Sequence, residues 1–307
     1  MTLFTPEVVL QKLKDGYEFK EAELSRLNLA SANLDRAVFN RCYLKGAVFT
    51  DVSCRETSFK DTNLSFSKFT SVNLQTANLE RVEFNSATLK DLIIEDANCY
   101  KAKLFGAKLE RLKAPHANLS FADLRETKGN NLYFHSANLN KACINRIRWQ
   151  EIDLERATVT NVAIKDALIE DSHWLKANLQ NSNLSQSQLN RANFSDASLV
   201  NTKFVFARLN GIDFSAAELI ETSFKHALLS EINFSDSSLI SADFEGANLS
   251  EIDLSNANLQ DANCEQTTWQ DVIFDNCNVS GAVFTKARGL SEEQRRWLKS
   301  NGALNVP

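Results

Sequence analysis

A period of five residues runs through this sequence and rules out the two ordinary ways of folding it. The residues whose numbers leave remainder four on division by five form 53 positions from Leu24 to Phe284. All are apolar except Gly129, with Ala114, Cys54, Cys99 and Cys264 counted as apolar. An amphipathic helix repeats its apolar face every 3.6 residues and a half-buried strand every 2, and five fits neither. Two places before each of these positions runs a second, mostly small series, including Ala32, Ala37, Ala77, Ala97, Ala117 and Ala137. Between the two series Asn or Asp recurs, as in Asn33, Asn78, Asn118, Asp153, Asn193 and Asp253. An inward pair spaced by two has the alternation of a short strand. The residues that follow must turn a corner that resets the phase, and a chain that turns the same way at every corner must coil.

The length of a coil is also readable. Branched aliphatics recur every twenty residues at Val52, Val72, Leu92, Leu112, Leu132, Ile152, Ile212, Ile232, Ile252 and Val272, interrupted by Ser172 and Ala192. Five residues later the column from Ala37 to Cys277 is Ala at most positions. Period twenty combined with period five gives four faces per coil. Phe204, Phe224 and Phe244 fall in one column, and Phe194, Phe214 and Phe234 in the opposite one, so their side chains should meet across the interior.

These A(N/D)LXX repeats resemble the pentapeptide-repeat family over nearly the whole chain. The resemblance implies an all-β solenoid, a right-handed quadrilateral β-helix of about 13 coils, with short capping helices at its ends. It also implies a non-enzymatic role, since family members with assigned roles bind other proteins. The quinolone-resistance group binds DNA gyrase by resembling duplex DNA, and the family is abundant in cyanobacteria. Members of that group commonly project loops that matter to their activity, and no insertion of that kind interrupts the repeats here. At the roughly 4.8 Å spacing of neighbouring strands, such a rod would be about 60 Å long.

A solenoid needs its ends covered, because each coil contacts only its neighbours. Residues 1–18 read as an N-terminal capping helix, with Thr5 at the N-cap, Pro6 at the first helical position and Gly16 just past the end. Val9, Leu10 and Leu13 would supply its apolar face. Residues 19–288 are the repeat region. Residues 289–307 read as a C-terminal capping helix and tail, opened by a capping box of Ser291 and Gln294 and closed at Gly302. Leu290, Trp297 and Leu298 would cover the last coil. Gly129, followed by two Asn, predicts a bulge or bend, or else a bump that contacts a ligand.

Composition excludes several classes. Hydrophobic residues make up 43% and charged residues 24%, enough for a packed core. No apolar run approaches the roughly 18 to 20 residues that span a bilayer. The N-terminal segment lacks the pattern of a secretory signal. Six Cys without a Cys-x-x-Cys spacing suggest reduced thiols and a cytoplasmic protein. No phosphate loop or nucleophile motif is present, so neither catalysis nor a cofactor is expected. His116 and His135 should lie on successive coils, but two His without a third ligand make no metal site.

Charge is the remaining signal. From Leu209 to Asp275 there are 13 acidic residues and one basic, Lys225, while residues 101–200 carry 14 basic and 10 acidic residues. Glu231, Glu251 and Asp271 share one corner column, and Glu221, Asp261, Glu245 and Glu265 extend the candidate acidic surface. Such a surface would steer a basic protein partner. Direct nucleic-acid binding is disfavoured, because no basic stripe with interleaved aromatics is evident. The expectation is an interaction rod for an unidentified protein partner, monomeric or dimerised end to end. The alternative is a DNA mimic acting on gyrase or another topoisomerase.

Overall fold

The computed structural model describes residues 4–307 and is a parallel β-solenoid of about 13 coils with a short helix near each end. The chain divides into two compact units, the first ending at Ala157 and the second beginning at Thr158. In both units residue n pairs in parallel with residue n + 20. In the first, Asn28↔Val48 continues as Val48↔Lys68. In the second, Leu228↔Asn248 continues as Asn248↔Thr268.

The repeat sequence explains the coil one residue at a time. Ala and Leu of each repeat point inward, and Ala247 and Leu249 are 0% and 2% exposed. The Asn or Asp between them faces out, and its Oδ1 accepts the N–H of the residue two places on. Examples are Asn33 to Asp35 at 2.8 Å, Asn193 to Ser195 at 2.8 Å and Asp253 to Ser255 at 2.9 Å. This local bond holds the start of each corner, which is why short side-chain acceptors dominate the position. Amides also bond along the stack, with Asn278 Nδ2 donating to Asn258 Oδ1 at 2.9 Å. At every fifth residue from Glu21 to Lys286 the backbone takes a positive φ, whatever the side chain. At most corners the next inward N–H closes a turn onto the preceding inward carbonyl, as Ala37 does to Leu34 at 2.9 Å and Ala227 to Phe224 at 3.0 Å. That bond, with positive φ at the third residue, is the type II pattern. One corner per coil is opened out instead. Six-residue strands run through it at Arg148–Asp153, Arg208–Asp213, Leu228–Asn233 and Asn248–Asp253. Ile152, Ile212, Ile232 and Ile252 lie inward there, so the wider corner has room for the branched aliphatics that recur every twenty residues.

Aromatic rings fill the interior on facing sides. In the second unit Phe204, Phe224 and Phe244 stack at 5.2 and 5.0 Å, and Phe194, Phe214 and Phe234 at 5.2 Å each. The two columns meet edge-to-face, Phe224 lying 6.1 Å from Phe214 and 5.8 Å from Phe234. In the first unit the other two faces carry most of the rings. Phe19, Phe39 and Phe59 stack at 5.5 and 5.3 Å, and Phe49 meets Phe59 edge-on at 6.2 Å.

Three buried tryptophans each need a partner for the indole N–H, and each finds a hydroxyl at a small inward position. Trp149 donates to Thr127 at 3.0 Å, Trp174 to Ser172 at 2.8 Å and Trp269 to Thr267 at 2.7 Å. Ser172 thereby accounts for one interruption of the aliphatic column. Ser172→Ala should strand a buried indole donor and cost about 1 to 3 kcal/mol; equal urea midpoints for variant and parent would refute this.

Gly129 is neither a bulge nor a bump. It sits inside the strand Lys128–Tyr133, in register between Leu109 and Trp149, and its φ is not positive. A Cβ there would lie 2.8 Å from Leu132 Cδ1 and 3.2 Å from the Leu109 carbonyl. The space belongs to large neighbours. Trp149, 1% exposed, is the ladder partner of Gly129 and bonds Thr127 on the preceding coil.

The end helices follow their sequence signals. Helix α1 spans Pro6–Lys14, with Thr5 Oγ1 accepting the Val8 N–H and Val9 buried. Helix α2 spans Glu292–Ser300 and carries both bonds of the Ser291–Gln294 capping box. The Gln294 side chain also donates to the Val272 carbonyl at 2.9 Å, and Leu298 is fully buried. Beyond the helix the chain returns to the coil: Leu304 pairs with Val283, and the Gly281 N–H donates to the Gly302 carbonyl. The tail therefore adds backbone pairing to the last coil, which the sequence did not announce.

Candidate functional site

The seven acidic residues singled out from the sequence do not form one surface. Glu231, Glu251 and Asp271 occupy one corner column of the second unit, flanked by the pairings Ser230↔Ser250, Ser250↔Gln270, Ile232↔Ile252 and Ile252↔Val272. All three are exposed. Glu221 and Asp261 lie at the diagonally opposite corner, and Glu245 and Glu265 at the corner between. Glu245 is paired, sharing one lysine with Asp243. Lys225 Nζ lies 2.9 Å from both Glu245 and Asp243. The bond from Lys225 holds the Glu245 carboxyl below its ordinary pKa, and the bonds to Asp243 and Glu245 raise that of Lys225.

The geometry selects a different set. The face centred on Phe214, Phe234, Leu254 and Phe274, with its two corners, carries Asp213, Glu231, Asp236, Glu251, Asp253, Asp271 and Asp275. Among the described residues none of these seven makes an ion pair. Asp213 and Asp253 are half-buried and spend one oxygen on the corner bonds to Ser215 and Ser255. The other five are exposed. Sequence reading found the column at Glu231 but not the face, because the face appears only when positions 11, 13, 15 and 16 of the twenty-residue coil are read together.

This face ends in a groove of about 730 Å³ between the last coil and α2, lined by Val272, Ile273, Phe274, Asp275, Asn276, Glu293, Gln294 and Trp297. Ile273 is 48% exposed, and Phe274 stacks on Trp297 at 6.0 Å. An acidic approach thus leads to an apolar floor with two carboxylates beside it.

The first unit is built differently. Many of its acids are paired with cations one coil away, including Arg36–Glu56, Lys60–Glu80, Lys90–Glu110, Lys103–Glu83, Arg111–Asp91 and Arg146–Glu126. Such exposed pairs contribute little to stability, but each offsets the charge of its acid. One face also carries exposed aromatics with cations over their rings: Lys45 on Phe66, Arg125 on Phe105, and Lys101 and Lys141 on Phe121. This corrects the expectation that aromatics and cations are not interleaved. Arg125 is itself paired with Asp123, so the face carries counterions of its own.

Two further features bear on chemistry. Cys42, Cys54, Cys99, Cys264 and Cys277 are buried. Burial pushes Cys99 and Cys277 up to about 12 and raises the other three, which keeps all five as thiols at neutral pH. The pair His116 and His135 does have company. Asp153 and Glu155 lie with His135 so that one ligand atom from each falls within 4.8 Å of the others. Adding 18 and 20 to 135 would have found them in the sequence. Among the described residues no helix is long and apolar enough to cross a membrane.

A family model for the pentapeptide repeat region matches residues 167–254, and one for pentapeptide repeats (8 copies) matches residues 22–53, 47–85 and 252–288, together more than half of the chain. Similar solved structures include HetL, a pentapeptide repeat protein involved in heterocyst differentiation regulation in the cyanobacterium Nostoc. It is 23% identical, with 92% of this chain and 97% of HetL covered and a TM-score of 0.24. QnrB1, a plasmid-mediated fluoroquinolone resistance protein, is 16% identical, with 69% and 96% covered and a TM-score of 0.45. A pentapeptide repeat protein from the Arabidopsis thaliana thylakoid lumen is 30% identical, with 37% and 76% covered and a TM-score of 0.20. None of the curated proteins matches the chain. The repeat matches, the twenty-residue register and the corner at every fifth residue make this chain a member of the pentapeptide-repeat family.

Proposed function

We propose that the protein is a non-enzymatic, cytoplasmic interaction protein whose second unit docks a basic protein partner along the acidic face, with an apolar residue of that partner seated in the groove at Ile273, Phe274 and Trp297. The observation that carries this reading is seven carboxylates on one face without a cation among them, leading to an apolar groove at which Ile273 is exposed. Stability does not call for that arrangement. Like charges stacked about 4.8 Å apart repel, whereas in the first unit acids such as Glu56, Glu80 and Asp91 each stand one coil from a cation. Uncompensated charge of one sign raises association rates for partners of the other.

The variant Glu231→Gln/Glu251→Gln/Asp271→Asn keeps side-chain size and removes the corner column. Its thermal unfolding should match the parent or improve by a few tenths of a kcal/mol. Capture of partners from the native cell should fall about tenfold against the parent. Equal capture by the two proteins would reduce the column to a solubility surface.

A DNA mimic acting on gyrase or another topoisomerase is the second reading, favoured by the same regularly spaced carboxylates. A supercoiling assay separates the two. Inhibition by the parent and not by the triple variant supports mimicry, whereas supercoiling unchanged at protein well above enzyme concentration leaves the protein-docking reading.

A further inference from the structure

We propose that His135, Asp153 and Glu155 form a binding site for a borderline divalent cation such as zinc. The three side chains come from two successive coils of the first unit. His135 and Glu155 share one corner column, twenty residues apart, and Asp153 stands two residues before Glu155 on the adjoining face. One ligand atom from each lies within 4.8 Å of the others, and His135 Nδ1 is 3.9 Å from Glu155 Oε2. Zinc bonds nitrogen and oxygen at about 2.0 to 2.2 Å, so neighbouring ligands of a bound ion sit about 3.3 Å apart. Closing from 4.8 Å needs only side-chain rotation.

The backbone is fixed for this. The Phe134 N–H donates to the Asp153 carbonyl at 2.7 Å, and the Ser136 N–H to the Glu155 carbonyl at 2.9 Å. These bonds bracket His135 and lock the relative height of all three residues. Asp153 Oδ1 accepts the Glu155 N–H at 2.8 Å, which orients the carboxylate and leaves Oδ2 for a ligand. Glu155 Oε1 leans toward Arg156 at 3.5 Å, so Oε2 is the oxygen turned to His135. Tyr133 stacks on the imidazole at 6.0 Å, and His116 closes the other side edge-on at 6.2 Å. The His135 and Glu155 side chains are 23% and 31% exposed, open enough for an ion to enter and to keep water on its remaining positions. One nitrogen and two carboxylate oxygens suit zinc or its neighbours better than calcium, which prefers an all-oxygen shell.

The test uses the full chain, freed of metal by chelation and dialysed against zinc. One ion per chain should bind. His135→Gln and Asp153→Asn should each weaken binding at least about tenfold, whereas His226→Gln should leave it unchanged. Asp153→Asn retains the oxygen that accepts the Glu155 N–H, so its circular dichroism should match the parent and separate lost ligation from lost fold. Cobalt in place of zinc should give a visible spectrum without a sulfur-to-metal charge-transfer band. Failure to retain an ion, equal affinity in the His135 and Asp153 variants, or a sulfur band assigning the metal to a cysteine would each overturn the site.

Discussion

Phe224→Ala should lower the unfolding free energy of the second unit by roughly 3 to 5 kcal/mol, the range for removing a large aromatic from a packed core. Phe224 is fully buried and meets four rings, stacking on Phe204 and Phe244 and standing edge-on to Phe214 and Phe234. The coils above and below are held by parallel ladders that cannot collapse inward without breaking register, so the cavity should persist. Gln260→Ala, at an exposed corner, should cost under about 0.5 kcal/mol. Denaturant titration of both variants checks the pair, and coincident midpoints would mean that the inward register is wrong.

Gly289→Ala should be nearly as severe. Gly289 has φ +83° and stands two residues before the N-cap of α2. A Cβ there would fall 2.0 Å from the Trp269 carbonyl oxygen, which belongs to rigid backbone. The substitution adds left-handed strain of about 1 to 2 kcal/mol to a clash that only movement of the helix relieves. A total of roughly 2 to 4 kcal/mol is expected. Because each coil leans on its neighbours, uncovering the last one should open the solenoid from that end. Hydrogen exchange should lose protection first in α2 and in the Leu304 pairing with Val283; unchanged protection there would contradict the capping role.

The fold was legible because its period is written in residue types that only one backbone satisfies. Leu and Phe at every fifth position fix the inward register, and Ile212, Ile232 and Ile252 fix the coil length. The corner conformation was not legible. Arg26, Phe66, Lys101 and Glu231 all take φ near +60°, yet none is a residue that favours it. The ladders on either side impose the turn, so the side chain is left to serve the surface. Gly129 misled because its reason lies in packing, against the Leu132 side chain and the Leu109 carbonyl of the preceding coil, and a glycine that yields space to a neighbour looks locally like one that bends the chain. The acidic corner at Glu231, Glu251 and Asp271 was legible, since a column is a simple arithmetic series. The full acidic face and its groove were not, because the floor at Ile273, Phe274 and Trp297 joins a coil to a helix that no repeat encodes. Lys225 likewise reads as one basic residue among thirteen acids until its nitrogen is placed between Asp243 and Glu245.

The docking claim is tested most directly by the association rate of the captured partner, measured by stopped flow for the parent and for Glu231→Gln/Glu251→Gln/Asp271→Asn across a range of sodium chloride. Screening weakens exposed charges beyond about 8 Å at physiological ionic strength. The parent should therefore associate quickly at low salt and slow steeply as salt rises. The triple variant should start about tenfold slower and show a shallower slope, with dissociation little changed. Equal rates and equal salt slopes for the two proteins would contradict the account.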